Sequence, residues 1–268
     1  MREIAGSPAM RLRALLLFEL APAFKGPLLW AALASLVLLV FPVRYVLVGE
    51  LSFNGNLVGR ELRLPYVLAI GYSTIVFLTT LFTLCLCLDR TGTHYLKNND
   101  LLVLARNMGR PAFYLAKIAS VVIPSVAYGF TAVALFWEEL YRVAGINFPG
   151  IFLLVPSLAL SMLCLASLYF LMRNFLGNFM IFFLWMLMLP VIYTGNMWRY
   201  YAGWMHEEGL FVTVLGLLPQ FGGIHVHSLG AIIPRLLRDE SWHALVNGAA
   251  WSLLGLLAGV FFFSRKRL

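Results

Sequence analysis

Charged residues are scarce in this chain: Asp, Glu, Lys and Arg make up 12% of its 268 residues, whereas 61% are hydrophobic. A soluble domain carries about a quarter charged residues, because its surface must face water. The shortage excludes an ordinary soluble fold and indicates that most of the surface faces hydrocarbon. Only helices or a closed barrel satisfy their backbone polar groups there. Because the apolar runs are ~20 residues long rather than alternating segments of about ten, the sequence predicts an all-α, polytopic integral membrane protein.

Motifs for hydrolysis are also missing. The chain contains no G-x-x-x-x-G-K-[ST] phosphate loop and no H-E-x-x-H, G-x-S-x-G or G-x-G-x-x-G segment. The predicted spans hold almost no ionisable residue away from their ends, which argues against a proton- or ion-driven carrier and against an intramembrane protease. We therefore expect the chain not to be an enzyme, with no catalytic residue and no cofactor or metal of its own.

Cysteine is rare as well. Cys85, Cys87 and Cys164 lie in or at the end of apolar runs, so we interpret them as small core residues rather than as a disulfide framework. The first apolar run is too long for the core of a signal peptide, and the charged residues precede it by many positions. We expect it to be a retained span.

Six apolar runs predict six spans within a single domain of residues 1–268. Their approximate bounds are 27–48, 65–88, 112–137, 150–172, 175–195 and 242–263. A few residues around Arg173 and Asn174 separate the fourth and fifth runs, which predicts a tight antiparallel hairpin. An amino terminus on the inner side would place 13 of the 20 Lys and Arg residues inside, together with only four of the 12 Asp and Glu residues. The positive-inside rule therefore predicts that both termini are cytoplasmic.

Three segments outside the spans are informative. Residues 9–25 place leucines at helical spacing, with Arg11 and Glu19 on other faces, which predicts a helix in the cytoplasmic interface. Residues 89–111 form the one substantial inner loop, and its apolar centre at 101–104 suits a short amphipathic helix. Residues 196–241 form a long outer segment whose apolar part, 210–221, is too short to span and predicts a re-entrant or interfacial stretch.

Several polar residues leave two interpretations open. Arg44 either extends to the lipid headgroups or contacts a substrate, and Glu138 and Glu139 fit solvated charges at an aromatic interface. An outer metal site and ordinary exposed histidines are both compatible with His225 and His227, with His206 nearby in sequence. Helix packing or substrate contact explains a set of threonines in the second span: Thr74, Thr79, Thr80 and Thr83.

The inner loop carries the most specific pattern: Asp89, then Gly92-Thr93, Leu101-Leu102, Arg106, Arg110 and Lys117. This order resembles the membrane subunits of type-2 ATP-binding-cassette exporters, whose loop after the second span has an acid, Gly-Thr, Leu-Leu-Ala, a Pro, an Arg and a Lys. Asn107 stands where that family usually has Pro. The interfacial helix with Phe18-Glu19-Leu20 is similar to the family's amino-terminal elbow, and the outer stretch ending at Pro219 resembles its re-entrant helices.

The resemblance implies a permease that a separate ATPase drives. The coupling loop that docks on the ATPase would comprise Asp89, Gly92, Thr93, Leu101, Leu102, Arg106 and Arg110. Two cytoplasmic ATP-binding subunits, which hold ATP and Mg, would pair with two permeases, either copies or homologues, in a bacterial inner or plasma membrane. The uncharged path favours lipids, hydrophobic drugs or apolar peptides over small ions. No nucleic-acid partner is expected, because the excess of basic residues is explained by topology. The alternatives are a multi-span accessory or scaffold protein and a membrane-embedded lipid-modifying enzyme.

Overall fold

The computed structural model describes residues 13–14, 16–17, 20, 26–40, 43–45, 52–53, 56–57, 60–91, 109–190, 218–225 and 241–265. Six helices of nine or more residues build most of the described part of the chain, and residues 13–14, 16–17 and 20 are helical as well. The six helices are α1 (Pro27–Ser35, continued by a 3-10 turn at Leu36–Leu39), α2 (Arg60–Thr91), α3 (Arg110–Ala144), α4 (Leu154–Met172, preceded by a 3-10 turn at Pro149–Leu153), α5 (Asn178–Pro190) and α6 (Ser241–Arg265). A helical turn at 221–225 lies between α5 and α6.

Two very short strands interrupt this helical pattern between α1 and α2. Strand β1 (Ser52–Phe53) pairs antiparallel with β2 (Asn56–Leu57), so that Ser52 lies opposite Leu57. The pairing is confined to four residues and leaves the bundle helical. The predicted all-α class is confirmed at this level.

Within the described ranges, five helices are long and apolar enough to cross a membrane. They are Pro27–Tyr45, Val67–Thr91, Arg110–Val143, Pro149–Met172 and His243–Arg265. Their outer faces expose large apolar side chains, such as Trp30 (68% exposed) and Leu257 (63%), that water would not stabilise. These properties are those of a multi-pass membrane protein. The remaining predicted span corresponds to the shorter apolar helix α5, and residues 191–195 of that prediction lie outside the described residues.

The bounds of α3 follow from local backbone chemistry. Gly109 is extended, with φ −60 and ψ 133. Pro111 occupies the first helical turn, where its missing N–H costs nothing. At the other end Gly145 has φ +68, the left-handed conformation that favours glycine. Its N–H donates to the carbonyl of Tyr141, and the N–H of Ile146 donates to Leu140, which closes the helix. The helix is therefore longer than the predicted 112–137.

Small residues bring α4 and α6 into close contact. A Cβ at Gly255 would lie 2.6 Å from Oγ and 3.0 Å from the backbone carbonyl carbon of Ser167, so only glycine fits there. Gly248 and Gly259 are similarly covered, by Ile224 and Tyr114, and Ser252 between them is buried. Because hydrocarbon provides little hydrophobic drive between helices, such close backbone approach is the usual way that membrane helices associate.

The predicted hairpin of the fourth and fifth runs is present as α4 and α5. The chain turns at 173–177, where the N–H groups of Phe175 and Leu176 both donate to the carbonyl of Met172. Tyr169 Oη donates to the carbonyl of Asn178 at 3.4 Å, while farther along α5 the ring of Trp185 stacks on Phe221 at 6.3 Å. The two helices therefore run in opposite directions.

The bundle has two chemically different ends. One end, which we call the basic end, holds five cationic residues: Arg90, Arg110, Lys117, Arg173 and Arg265. Helices α2, α4 and α6 terminate there, and α3 and α5 begin there. The opposite end holds the start of α2 and of α4, the end of α3 and the turn at 221–225. Strict alternation of helix direction agrees with the up-and-down order that the spans predict.

Candidate functional site

The predicted coupling loop is described only at its two ends. Asp89 is the last exposed acid of α2, with its side chain 65% exposed and its Oδ2 atom 3.6 Å from Nε of Arg90. Arg110 begins α3. The other predicted loop residues lie outside the described residues, as do both interfacial-helix residues singled out: Gly92, Thr93, Leu101, Leu102, Arg106, Arg11 and Glu19. Their roles stay predictions.

The loop begins at a firmly held helix end. The carbonyl of Thr91, the last residue of α2, accepts hydrogen bonds from Nδ2 of Asn178 and, at 3.3 Å, from Nε of Arg173. Nη1 of Arg173 donates in addition to the carbonyl of Leu176 at 3.2 Å. A helix carboxyl end carries unpaired carbonyls and a partial negative charge, so a guanidinium is a favourable partner for it. The α4–α5 turn thus anchors the start of the loop.

The far end of the loop is anchored to a different helix. Nη1 of Arg110 donates to the carbonyl of Ser264, near the end of α6, at 2.9 Å. Because Gly109 is extended, α3 begins at Arg110. Arg110 has a structural contact within the bundle, which the sequence pattern alone does not reveal.

Two further cations at the basic end are buried. The guanidinium of Arg90 is only 8% exposed, and its Nε and Nη2 atoms have no hydrogen-bond partner in the described part of the chain. Lys117 is 6% exposed and places its Nζ atom 5.3 Å from the ring centre of Phe113, a cation–π distance. These two cations add to the positive charge of the basic end.

A buried polar network occupies the opposite end of the bundle, and we call it the His225 network. Tyr72 of α2 lies 2.6 Å from Nδ1 of His225 and 3.1 Å from Oγ of Ser157, measured from its Oη atom. Oγ of Ser161 is 3.2 Å from Nε2 of the same histidine. The network ties the turn at 221–225 to α2 and to α4. The sequence patterns considered above did not identify this buried polar set.

His225 is therefore not an ordinary exposed histidine. It is 5% exposed, and burial lowers its pKa from 6.5 to about 3, so the imidazole of this turn is neutral at physiological pH. Both ring nitrogens have hydroxyl partners, which leaves neither for a metal in this arrangement. No group of three metal-ligating side chains occurs among the described residues, and His206 and His227 lie outside them.

Paired charges surround the end of α3. Nε of Arg44 donates to Oε1 of Glu139 at 2.8 Å, and Arg142 pairs with Glu138 at the same distance. The side chain of Glu139 is only 17% exposed, so this acid is an ion-pair partner that links the first span to α3 rather than a solvated charge. Arg44 thus has a defined protein contact that neither sequence interpretation included.

The threonines of α2 mainly serve helix packing. Thr79, Thr80 and Thr83 are buried, and Oγ1 of Thr83 donates to the carbonyl of Thr79 at 2.7 Å. A Cβ at Gly129 of α3 would lie 3.3 Å from Cγ2 of Thr79, which marks close approach of α2 and α3. Thr74 is half-buried, and its Oγ1 donates to the carbonyl of Ile70 in its own helix at 2.9 Å. The geometry of Thr79 and Thr83 supports the packing interpretation.

One sequence signal for the His225 network was available. Ser157 and Ser161 are four positions apart in α4 and therefore share a helix face. Two hydroxyl groups placed in this way can contact the same polar side chain. Nothing in the sequence identifies Tyr72 or His225 as that partner, because they are 85 and 64 positions away from those serines.

Comparisons with models of protein families, with curated proteins and with solved structures give no match.

Proposed function

We propose that the chain is the membrane-spanning permease subunit of an ATP-binding-cassette exporter. In this proposal it has six spans, the outer segment before α6 is re-entrant, and the basic end faces the cytoplasm. A second permease subunit completes the path for a lipidic or otherwise hydrophobic substrate, and two separate ATPase subunits supply the energy. The alternative is a multi-span accessory protein without transport. That alternative gives no reason for the attachment of the inner loop to several helices.

The attachment of the inner loop is the observation that supports this proposal best. Segment 92–108 leaves a helix end held by Arg173 and Asn178, and it returns at Arg110, which is bonded to the end of α6. A partner that moves the loop would therefore act on α2, α3, α6 and the α4–α5 turn together. A permease can be driven only if its partner contacts something that differs between its states. The attachment of this loop to several helices supports the proposal that it is that element.

An enzyme built on the His225 network is less well supported. Ser161 and His225 are within the reach of a nucleophile and its base. The third group, however, is the neutral Tyr72 hydroxyl rather than a carboxylate, and the four side chains of the network are all buried. The network is better explained as the attachment of the outer turn to the bundle.

Labelling of single cysteines tests the proposed sidedness. We expect a cysteine at Asn98 to react with an impermeant maleimide only from the cytoplasmic side, and one at Asn54 only from outside. The reason is the concentration of cations at the basic end, which the positive-inside rule assigns to the cytoplasm. The three native cysteines are replaced by alanine as background, and the reverse pattern at either position would refute the orientation.

Replacing both Leu101 and Leu102 by alanine tests the coupling loop. Each truncated apolar anchor typically costs more than ~1 kcal/mol of binding, so the pair is expected to weaken ATPase association by roughly 10–100-fold. The measurement is the amount of ATPase retained on the affinity-purified permease, together with transport. Lys97→Ala in the same loop is the matched control and should retain both. Normal association and transport in the double variant would exclude the loop as the docking element.

A further inference from the structure

A groove of about 400 Å³ lies between the first span and α3, at the end of the bundle opposite the basic end. Its wall on the first span consists of leucine and valine side chains between Leu33 and Val40, and its wall on α3 includes Thr131 and Leu135. This volume is within the range of about 300–1,000 Å³ that small-molecule sites occupy. The groove opens sideways, since Val37 is 64% and Leu135 is 41% exposed.

The groove is apolar at one end and charged at the other. Glu138, Glu139 and Arg142 line it about two helical turns beyond Thr131, which at 1.5 Å per residue is roughly 10 Å along α3. The rings of Trp137 and Tyr141 stack next to these charges, with centres 6.2 Å apart, as in the aromatic belts found at headgroup level. Its long axis therefore passes from hydrocarbon depth to headgroup depth, as a lipid molecule does.

The charges at the rim select among headgroups. Glu139 is already paired with Arg44, whereas Glu138 and Arg142 retain 45% and 71% side-chain exposure and lie 2.8 Å apart. With Arg44 counted beside Glu139, the rim holds two carboxylates and two guanidiniums, so its charges balance. An anionic headgroup bound at Arg142 would take that arginine from Glu138 and leave the carboxylate without a cation. A headgroup with one phosphate and one ammonium matches it, with the phosphate at Arg142 and the ammonium at Glu138.

We propose that this groove binds a zwitterionic phospholipid of the leaflet opposite the basic end. One acyl chain lies along the wall between Leu33 and Val40, and the headgroup contacts Glu138 and Arg142. The proposal requires a membrane-spanning bundle but no ATPase, so it stands or fails separately from the exporter assignment.

Photocrosslinking tests the site. The full chain is reconstituted in vesicles of phosphatidylglycerol that contain a small fraction of phosphatidylcholine with a diazirine in its acyl chain, and adducts are mapped by mass spectrometry. We expect labelling of 33–40 and 131–135 at least fivefold above that of the exposed α6 residues Leu253 and Leu257. Vesicles of unlabelled phosphatidylcholine should remove this excess, because the host lipid then competes for the groove.

Variants separate a built site from ordinary lipid contact. Val37 is an exposed groove residue, and in Val37→Trp the larger side chain occupies the groove. This variant should reduce labelling of the groove at least fivefold, whereas Leu257→Trp on α6 should leave labelling of the groove unchanged. Glu138→Gln should reduce the preference for phosphatidylcholine over phosphatidylglycerol severalfold. Equal labelling of the groove and α6 in both hosts would mean annular lipid only and would overturn the site. Competition by phosphatidylglycerol as strong as that by phosphatidylcholine would overturn the headgroup assignment.

Discussion

Replacing Gly255 by leucine is expected to destabilise the bundle by about 3 kcal/mol, the upper part of the usual range for overpacking. The Cβ of any other residue would lie 2.6 Å from Oγ and 3.0 Å from the backbone carbonyl carbon of Ser167. A backbone atom cannot rotate away, so α6 has to separate from α4, the helix that it packs against most extensively. The thermal midpoint in detergent and the monodisperse fraction after size exclusion measure this loss.

The matched control is Ala250→Leu on the exposed side of the same helix. It adds the same leucine side chain to α6 without entering the contact with α4, and hydrocarbon accommodates it. We expect a midpoint close to that of the unchanged protein. If Gly255→Leu were as stable as Ala250→Leu, the close packing of α4 and α6 would not be part of the native structure.

Replacing His225 by leucine is expected to cost about 1–3 kcal/mol and to loosen the turn at 221–225. The substitution leaves Oγ of Ser161 buried without its histidine partner and removes the 2.6 Å contact with Tyr72. Hydrogen exchange in 218–225 should become faster by roughly tenfold for each 1.4 kcal/mol lost. His243→Leu is the control, since that histidine is exposed at the start of α6.

The same variant has a distinct pH dependence. Burial lowers the pKa of His225 from 6.5 to about 3, so below pH 6.5 the unfolded chain binds a proton that the folded chain does not. The unchanged protein should therefore lose stability as the pH falls from about 6.5 toward 3. His225→Leu should lose less over that interval, whereas His243→Leu should behave like the unchanged protein. Equal exchange and equal pH dependence in both variants would show that the network does not hold the turn.

Much of the architecture follows from sequence because bilayer thickness fixes the length of a span. The fourth predicted span, 150–172, differs by one residue at its start from the observed Pro149–Met172. The hairpin at Arg173 was predictable because too few residues separate two apolar runs for any other connection. The length of α3 was underestimated, since the helix continues past Trp137 through charged residues to Ala144. A hydropathy pattern ends where the charged residues begin.

Contacts between distant side chains were not predictable in the same way. Arg44 and Glu139 are 95 positions apart, and each has an adequate explanation alone, as a headgroup contact or a solvated acid. Tyr72 and His225 are separated by 153 positions, and only packing of α2 against the outer turn brings them together. Composition and periodicity specify which residues face inward but not which polar residues meet there.

ATP hydrolysis by the affinity-purified chain is the most direct test of the central claim. The chain is isolated from its native membrane in mild detergent, and ATPase activity is assayed while co-purifying proteins are identified by mass spectrometry. We expect ATPase activity only in preparations that contain a separate polypeptide with a G-x-x-x-x-G-K-[ST] phosphate loop. The activity should disappear when that polypeptide is removed. Hydrolysis by the partner-free chain, or the lack of any stoichiometric phosphate-loop protein in active preparations, would contradict the central claim.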